Sequence, residues 1–253
     1  MTKFPTLTFI GACSLVAAGA VLLLQPSQAD TQSQPVFAEL FTSQGCSSCP
    51  DADKIWADLQ KRNDVVALSF SIDYWDYIGW KDTLAHHENT LRQQAYAKAM
   101  PSRQVYTPQV IVDGVDDVVG NERAKVLNAI DARSAKIKGK RLSVSLIQSG
   151  NTVQVHIGTG QTSETATIWV AHTASSRTVK ITRGENTGHL MTYTNVVRDF
   201  GAAGVWNGQD VTLQVPTRSG EGSDVSDGVA VWVQQGKLGQ VLGAAQLRLA
   251  APK

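Results

Sequence analysis

Cys46-Ser47-Ser48-Cys49-Pro50 is the segment of this chain best equipped for chemistry. Two cysteines three positions apart can close a disulfide across a two-residue loop, and so small a ring adds little entropic stabilisation. It suits thiol-disulfide exchange better than reinforcement. The residues that follow read as the start of a helix: Pro50 fits the first turn, Asp51 and Asp53 favour the positive end of the dipole, and Ile55, Trp56 and Leu59 form an apolar stripe. A sulfur at that end meets unpaired N–H groups, which stabilise a thiolate. Two other uses stand beside exchange. The pair can tie the helix to the preceding strand as a structural disulfide. With His86 and His87 it can also offer ligands to zinc or copper, although adjacent histidines do not easily face one ion.

The elements that must position the pair are legible on both sides. Pro35 opens VFAELFTS, an apolar and β-branched run that reads as a buried strand. VVALSFSIDYW from Val65 reads as a second buried strand, followed by the aromatic-rich YIGWKD and a helix over residues 87–99. VYTPQVIVDGVDDVVG reads as a hairpin with Asp113-Gly114 at its turn, and a helix over residues 121–136 follows. After KIKGK at residues 136–140 the texture changes. LSVSLIQ, TVQVHIG, ATIWVAHT, TVKITR, LMTYTNVVRDF, DVTLQVP and GVAVWVQQ alternate apolar and polar residues between Gly, Asn, Ser and Asp clusters. That pattern predicts an antiparallel sandwich or barrel. The expected division is a leader over residues 1–29, an α/β domain over 30–138 and an all-β, sandwich-like domain over 139–253.

The leader rests on one positive charge, Lys3, and on residues 7–24, which carry no charge at all. These match the n-region and h-region of a secretory signal, with Ser27 and Ala29 at a small-residue site and cleavage expected after Ala29. Cys13 follows Ile10-Gly11-Ala12 in a lipobox-like setting, but reads as a small apolar residue of the h-region. Cleavage would remove Lys3 and no acid, leaving 22 basic against 22 acidic residues, with Cys46 and Cys49 as the remaining cysteines. An exported pair sits in a compartment where disulfides persist. The expected location is periplasmic or secreted, without membrane insertion after cleavage.

Composition narrows the function classes. The 253 residues are 42% hydrophobic and 18% charged, with a net charge of +1, which does not suggest a nucleic-acid or membrane-surface binder. No HExxH, P-loop, GxSxG or dinucleotide fingerprint appears, which weakens hydrolase, nucleotide and Rossmann readings. His156 and His172 lie in alternating strands and read as satisfied side chains.

Strand, CxxC, helix, strand, helix, proline-led hairpin and helix together resemble the thioredoxin superfamily over residues 35–136. That resemblance implies a thioredoxin-like fold with Thr107-Pro108 at the superfamily's cis-proline, facing the pair and presenting backbone to a substrate. It gives Glu39 the part of the buried acid that assists proton transfer at the second cysteine. Ser47-Ser48 and the extra Gly45 depart from the thioredoxin pattern. In such a layout Tyr74, Trp75 and Trp80 stand beside the pair as walls of a substrate groove or as packing, and Asp73 or Asp76 would tune the thiolate. VFAELFTSQGCSSCPDAD, SIDYWDYIGWKD, RQQAY, VYTPQVIVDG, RGENTG and YTNVVR are similar to the DUF1223 family, secreted bacterial proteins with a thioredoxin-like domain and no assigned biochemical function. Within RGENTG, Glu185 and Asn186 either reach across to the first domain or simply serve a turn.

The leading expectation is a thiol-disulfide oxidoreductase that needs no cofactor. Cys46 would attack, Cys49 would resolve, and the partner would be a protein or small-molecule thiol or disulfide. The alternatives are a binding protein on the same scaffold with a structural disulfide, and a copper or zinc carrier.

Overall fold

The computed structural model describes residues 35–218 and 226–250, so the expected leader and Cys13 lie outside the described residues. The elements in order are β1 (Val36–Thr42), α1 (Cys49–Leu59), β2 (Val65–Ser71), α2 (His87–Ala99), β3 (Gln109–Val112), β4 (Asp116–Val119), α3 (Arg123–Ile137), β5 (Val144–Ser149), β6 (Thr152–Ile157), β7 (Ala166–Lys180), β8 (Leu190–Trp206), β9 (Val211–Pro216), β10 (Gly228–Gln235) and β11 (Val241–Arg248). All seven residues of β1 and of β2 are buried, as continuous apolar runs covered on both faces must be. The two strands pair in parallel through the crossover helix α1, while β3 runs antiparallel to β1 and hairpins into β4. Asp113 and Gly114 both have positive φ at that turn, as the Asp-Gly pattern predicts.

Alternation along β1 sends its side chains to two different cores. Val36, Ala38 and Leu40 pack with Ala52, Ile55, Trp56 and Leu59 of α1 and with Val126 and Ile130 of α3. Phe37 and Phe41 face the other way, toward Tyr96 and Met100 at the end of α2.

Four strands of the second half, β7, β8, β10 and β11, join the sheet of this unit. One eight-stranded sheet runs β11-β10-β7-β8-β2-β1-β3-β4, with β8 joined to β2 in parallel at Ser69 and Val196. The described residues from 35 onward form one compact unit, so the composition change near Lys140 separates two textures within it. Phe37 on β1 and Trp232 on β10 stack with ring centroids 4.8 Å apart, although three strands separate β1 from β10. Strands spaced about 4.8 Å apart would hold them near 19 Å in a flat sheet, so the sheet curls and β10 returns over β1. The remaining strands form a small sheet, β5-β6-β9, whose Val153, Val155 and Ile157 pack on Ile168, Val231 and Val233.

Two strands differ from expectation. ATIWVAHT and the first three residues of TVKITR lie in the single strand β7, because β8 pairs along its whole length despite register shifts at Ile168/Trp169 and His172/Thr173. β11 has no counterpart among the expected strands. Its VLGAAQLR is rich in small residues for a packing reason: a Cβ on Gly243 would come within 2.3 Å of the Leu142 carbonyl oxygen.

Candidate functional site

The turn between β1 and α1 carries Cys46 and Cys49, joined in a disulfide with their Cα atoms 5.4 Å apart. Cys49 opens the helix, and its N–H donates to the Cys46 carbonyl at 3.2 Å. Cys46 is 3% exposed and Cys49 fully buried, while Ser47 and Ser48 between them face solvent. Cys46 is the more accessible of the two sulfurs, but it offers only a narrow approach.

Thr107-Pro108 is a cis peptide, and the Thr107 carbonyl oxygen lies 3.7 Å from Cys46 Sγ. Trp75 closes the same side by donating its indole N–H to Thr107 Oγ1 at 2.7 Å. Its ring stacks on Tyr77, which is 79% exposed. Tyr74 packs inward against the aromatic core, and burial pushes its phenol up to about 12. Of the expected aromatic wall, Trp75 therefore reaches the Cys46 side, whereas Tyr74 is mostly packing.

Trp80 turns to Gln44, whose buried side chain organises the loop. Gln44 Oε1 accepts from Trp80 Nε1 at 2.8 Å and from the Thr83 N–H at 3.3 Å. The Gln44 N–H donates to the Asp82 carboxylate at 2.8 Å. From the far half of the chain, Asn186 Nδ2 donates to the carbonyl oxygens of both Gln44 and Cys46, at 2.9 Å each. Glu185 accepts from the Ser47 N–H at 3.3 Å. RGENTG thus does reach across, as one of its two readings had it. Gly184 makes the approach possible, with φ +77° and room for no more than a close contact beside Trp80 Cβ.

Glu39 does not reach this cluster. It faces the aromatic core with Phe37 and Phe41, away from α1, and binds Arg92 Nε at 2.5 Å and Arg92 Nη2 at 3.1 Å. The Tyr96 hydroxyl donates to it at 2.5 Å. Arg92 in turn lies within 5.8 Å of five aromatic ring centroids and donates to Gln234 of β10. A carboxylate so paired is a structural charge, and its alternation on β1 places it on the wrong face for a proton relay to Cys49.

Sequence reasoning missed the acids that are near the loop. Asp53 is 4% exposed, and among the described contacts its partner is the Thr42 hydroxyl, which donates at 3.3 Å. Burial pushes its carboxyl up to about 8, against the Thr42 hydrogen bond and reinforced by the charge of Asp82. Asp82, also buried, is pushed up to about 6 even though the Gln44 and Leu84 N–H groups donate to it. The available signal was spacing: Asp53 falls on the buried stripe Cys49, Ala52, Asp53, Trp56, whereas Asp51 points outward to Lys54.

The remaining polar candidates have other partners. His87 Nδ1 meets Asp73 at 2.8 Å, and Asp76 accepts from the Asp82 N–H at 3.0 Å. His172 is bound through both ring nitrogens, to Asp199 and the Pro216 carbonyl, and His156 meets Asp210 and Thr212. Among the described residues no three His, Cys, Asp or Glu side chains are grouped to hold a metal ion, and no helix is long and apolar enough to cross a membrane.

This chain is similar to a crystallised protein of Agrobacterium tumefaciens, with 34% identity over 86% of this chain and 96% of that one and a TM-score of 0.74. It shares its fold with HBP35 of Porphyromonas gingivalis at 13% identity, over 85% of this chain and 75% of that one, with a TM-score of 0.63. No curated protein matches significantly. The family described as protein of unknown function DUF1223 matches residues 37–234, and the chain belongs to that family.

Proposed function

We propose that this protein is an exported thiol-disulfide oxidoreductase built on a thioredoxin-like unit. The observation that carries the reading is the Cys46–Cys49 disulfide at the start of α1, with the carbonyl of Thr107, the residue before cis-Pro108, 3.7 Å from Cys46 Sγ. The order β2-β1-β3-β4, with α1 and α3 on one face and α2 on the other, supports the thioredoxin-like part. Export rests on the charge-free run of residues 7–24 and on a disulfide that an oxidising compartment preserves. Cys46 is the sulfur that a substrate thiolate attacks, and Cys49 is the leaving and resolving sulfur. Trp75, Tyr77 and the Thr107 backbone provide the contact surface for a protein or small-molecule thiol.

A redox titration followed by alkylation tests the reading. A potential above about −300 mV is expected, and a pair that remains oxidised at lower potentials is structural and overturns it. Replacing Cys49 alone should trap mixed disulfides on Cys46.

The near-complete burial of Cys46 and the clamp from Asn186 favour a second reading, a binding protein whose disulfide only shapes the loop. In that case Cys46→Ser leaves partner binding unchanged.

A further inference from the structure

We propose that Asp53, coupled to Asp82, is the group that exchanges a proton with Cys49 when the disulfide opens and closes. The inference rests on the redox reading of the pair and moves the proton-handling role from β1 to α1. Asp53 stands four residues after Cys49 in one helix, which puts both side chains on the same face, one turn apart, with Cβ atoms about 5–6 Å from each other. Both are buried. Asp51, the other acid of that turn, is exposed and paired with Lys54.

Among the described ion pairs none holds Asp53; the buried Arg198 of β8 donates to the Leu84 carbonyl, and the groups that act on Asp53 are a hydroxyl, an acid and a phenol. Thr42 at the end of β1 donates to it, and Asp82 in the loop before α2 and Tyr193 on β8 lie within electrostatic reach of it. Glu39 shows the contrast, since its equally buried carboxylate is matched by Arg92. Burial holds the Asp53 carboxyl protonated up to about pH 8, close to the ordinary range of a cysteine thiol. General acid-base exchange is most efficient from a group that titrates near the working pH, as Asp53 does here.

The step balances as follows. A substrate thiolate attacks Cys46 Sγ, a new S–S bond forms there, and the Cys46–Cys49 bond breaks with its electron pair left on Cys49. Cys49 takes the proton of the Asp53 carboxyl, leaving a thiol and a carboxylate. A second substrate thiolate then releases Cys46, so the protein disulfide is reduced and two substrate thiols become one disulfide. In the reverse direction the Asp53 carboxylate accepts the Cys49 proton as that sulfur attacks the mixed disulfide. Asp82 makes Asp53 a better acceptor by charge repulsion. Through the Gln44 N–H it also ties the acid pair to the cysteine loop.

The test is a carbon-13 NMR titration of the Asp53 carboxyl in the wild-type chain, oxidised and reduced. Its midpoint should rise by about one pH unit or more on reduction, as expected for two groups that share a proton. An unchanged midpoint overturns the proposal. Dithiothreitol supplies a kinetic arm. Asp53→Asn should slow opening of the disulfide at pH 7 by about 10-fold or more, within the range of general acid catalysis, and abolish the inflection near pH 8, while Asp53→Glu restores part of both. Equal rates and equal pH profiles overturn it as well. The reduction potential is measured alongside: a value in the structural range defeats the redox reading, whereas the NMR midpoints report on Asp53 and Cys49 whatever that potential is.

Discussion

Glu39 and Arg92 form an ion pair inside the fold, with Arg92 Nε 2.5 Å from Glu39 Oε1 and side chains 0% and 2% exposed. The pair joins β1 to α2, and through Gln234 it joins both to β10. Removing one member strands the other charge where neither water nor another carboxylate can reach it. Glu39→Gln should cost about 3–5 kcal/mol, read as a lower urea midpoint, while the reduction potential of Cys46–Cys49 stays close to wild type. A large change in potential with little change in stability would restore Glu39 to the site.

Asn186 donates twice to the cysteine loop from a buried position. Asn186→Ala leaves the Gln44 and Cys46 carbonyls without that donor and loosens the turn. The expected loss is about 1–3 kcal/mol, together with faster reduction of the disulfide by dithiothreitol. Unchanged reduction kinetics would mean that the contact serves stability alone.

Asp53 and Asp82 bind protons more tightly in the folded chain than in the unfolded one, whose carboxyls titrate near 3.8. Between that value and about pH 8 the folded state therefore holds more protons, and the free energy of unfolding falls as pH rises. His172 adds to the same trend. Burial opposes its charge, but Asp199 and the Pro216 carbonyl outweigh that and raise its pKa, so its contribution is complete below the unfolded value of 6.5 and is lost as pH climbs through the folded one. Asp53→Asn should flatten the decline between pH 6 and 8 without removing the His172 part. Chemical denaturation across that range checks it; equal slopes would show that Asp53 is ionised throughout.

Gly243→Ala tests the seam between β11 and the segment that leads into β5. The added methyl would press on the Leu142 carbonyl, a backbone atom that cannot rotate away. A loss of about 1–3 kcal/mol is expected, seen as a lower melting temperature. A neutral substitution would mean that β11 shifts freely against its neighbour.

The first half was readable because its signals are local. Pro50, the stripe on α1 and Asp113-Gly114 each act within a few residues, and those elements formed close to where they were expected. The second half was harder because alternation reports a pleated strand without naming its neighbour. Nothing in TNVVR says that Val196 will lie against Ser69 rather than in a separate sandwich. The site shows the same division. Cys46, Cys49, Thr107 and Trp75 lie in recognisable motifs, whereas Gln44 and Asp82 look like ordinary polar residues until the fold buries them. For Glu39, position in an apolar run was legible, but the partner that neutralises it stands 53 residues away.

The Asn186 contact also imposes an order in time. A ribosome delivers Cys46 140 residues before the side chain that closes its loop, and β10, which covers the Glu39–Arg92 pair, comes later still. Contacts this distant carry the loop-closure entropy that slows their formation. A chain threaded through a membrane from its N-terminus would therefore present both cysteines to the oxidants and isomerases of the far side while their loop was still open. On that route the disulfide would close before the shape that hides it.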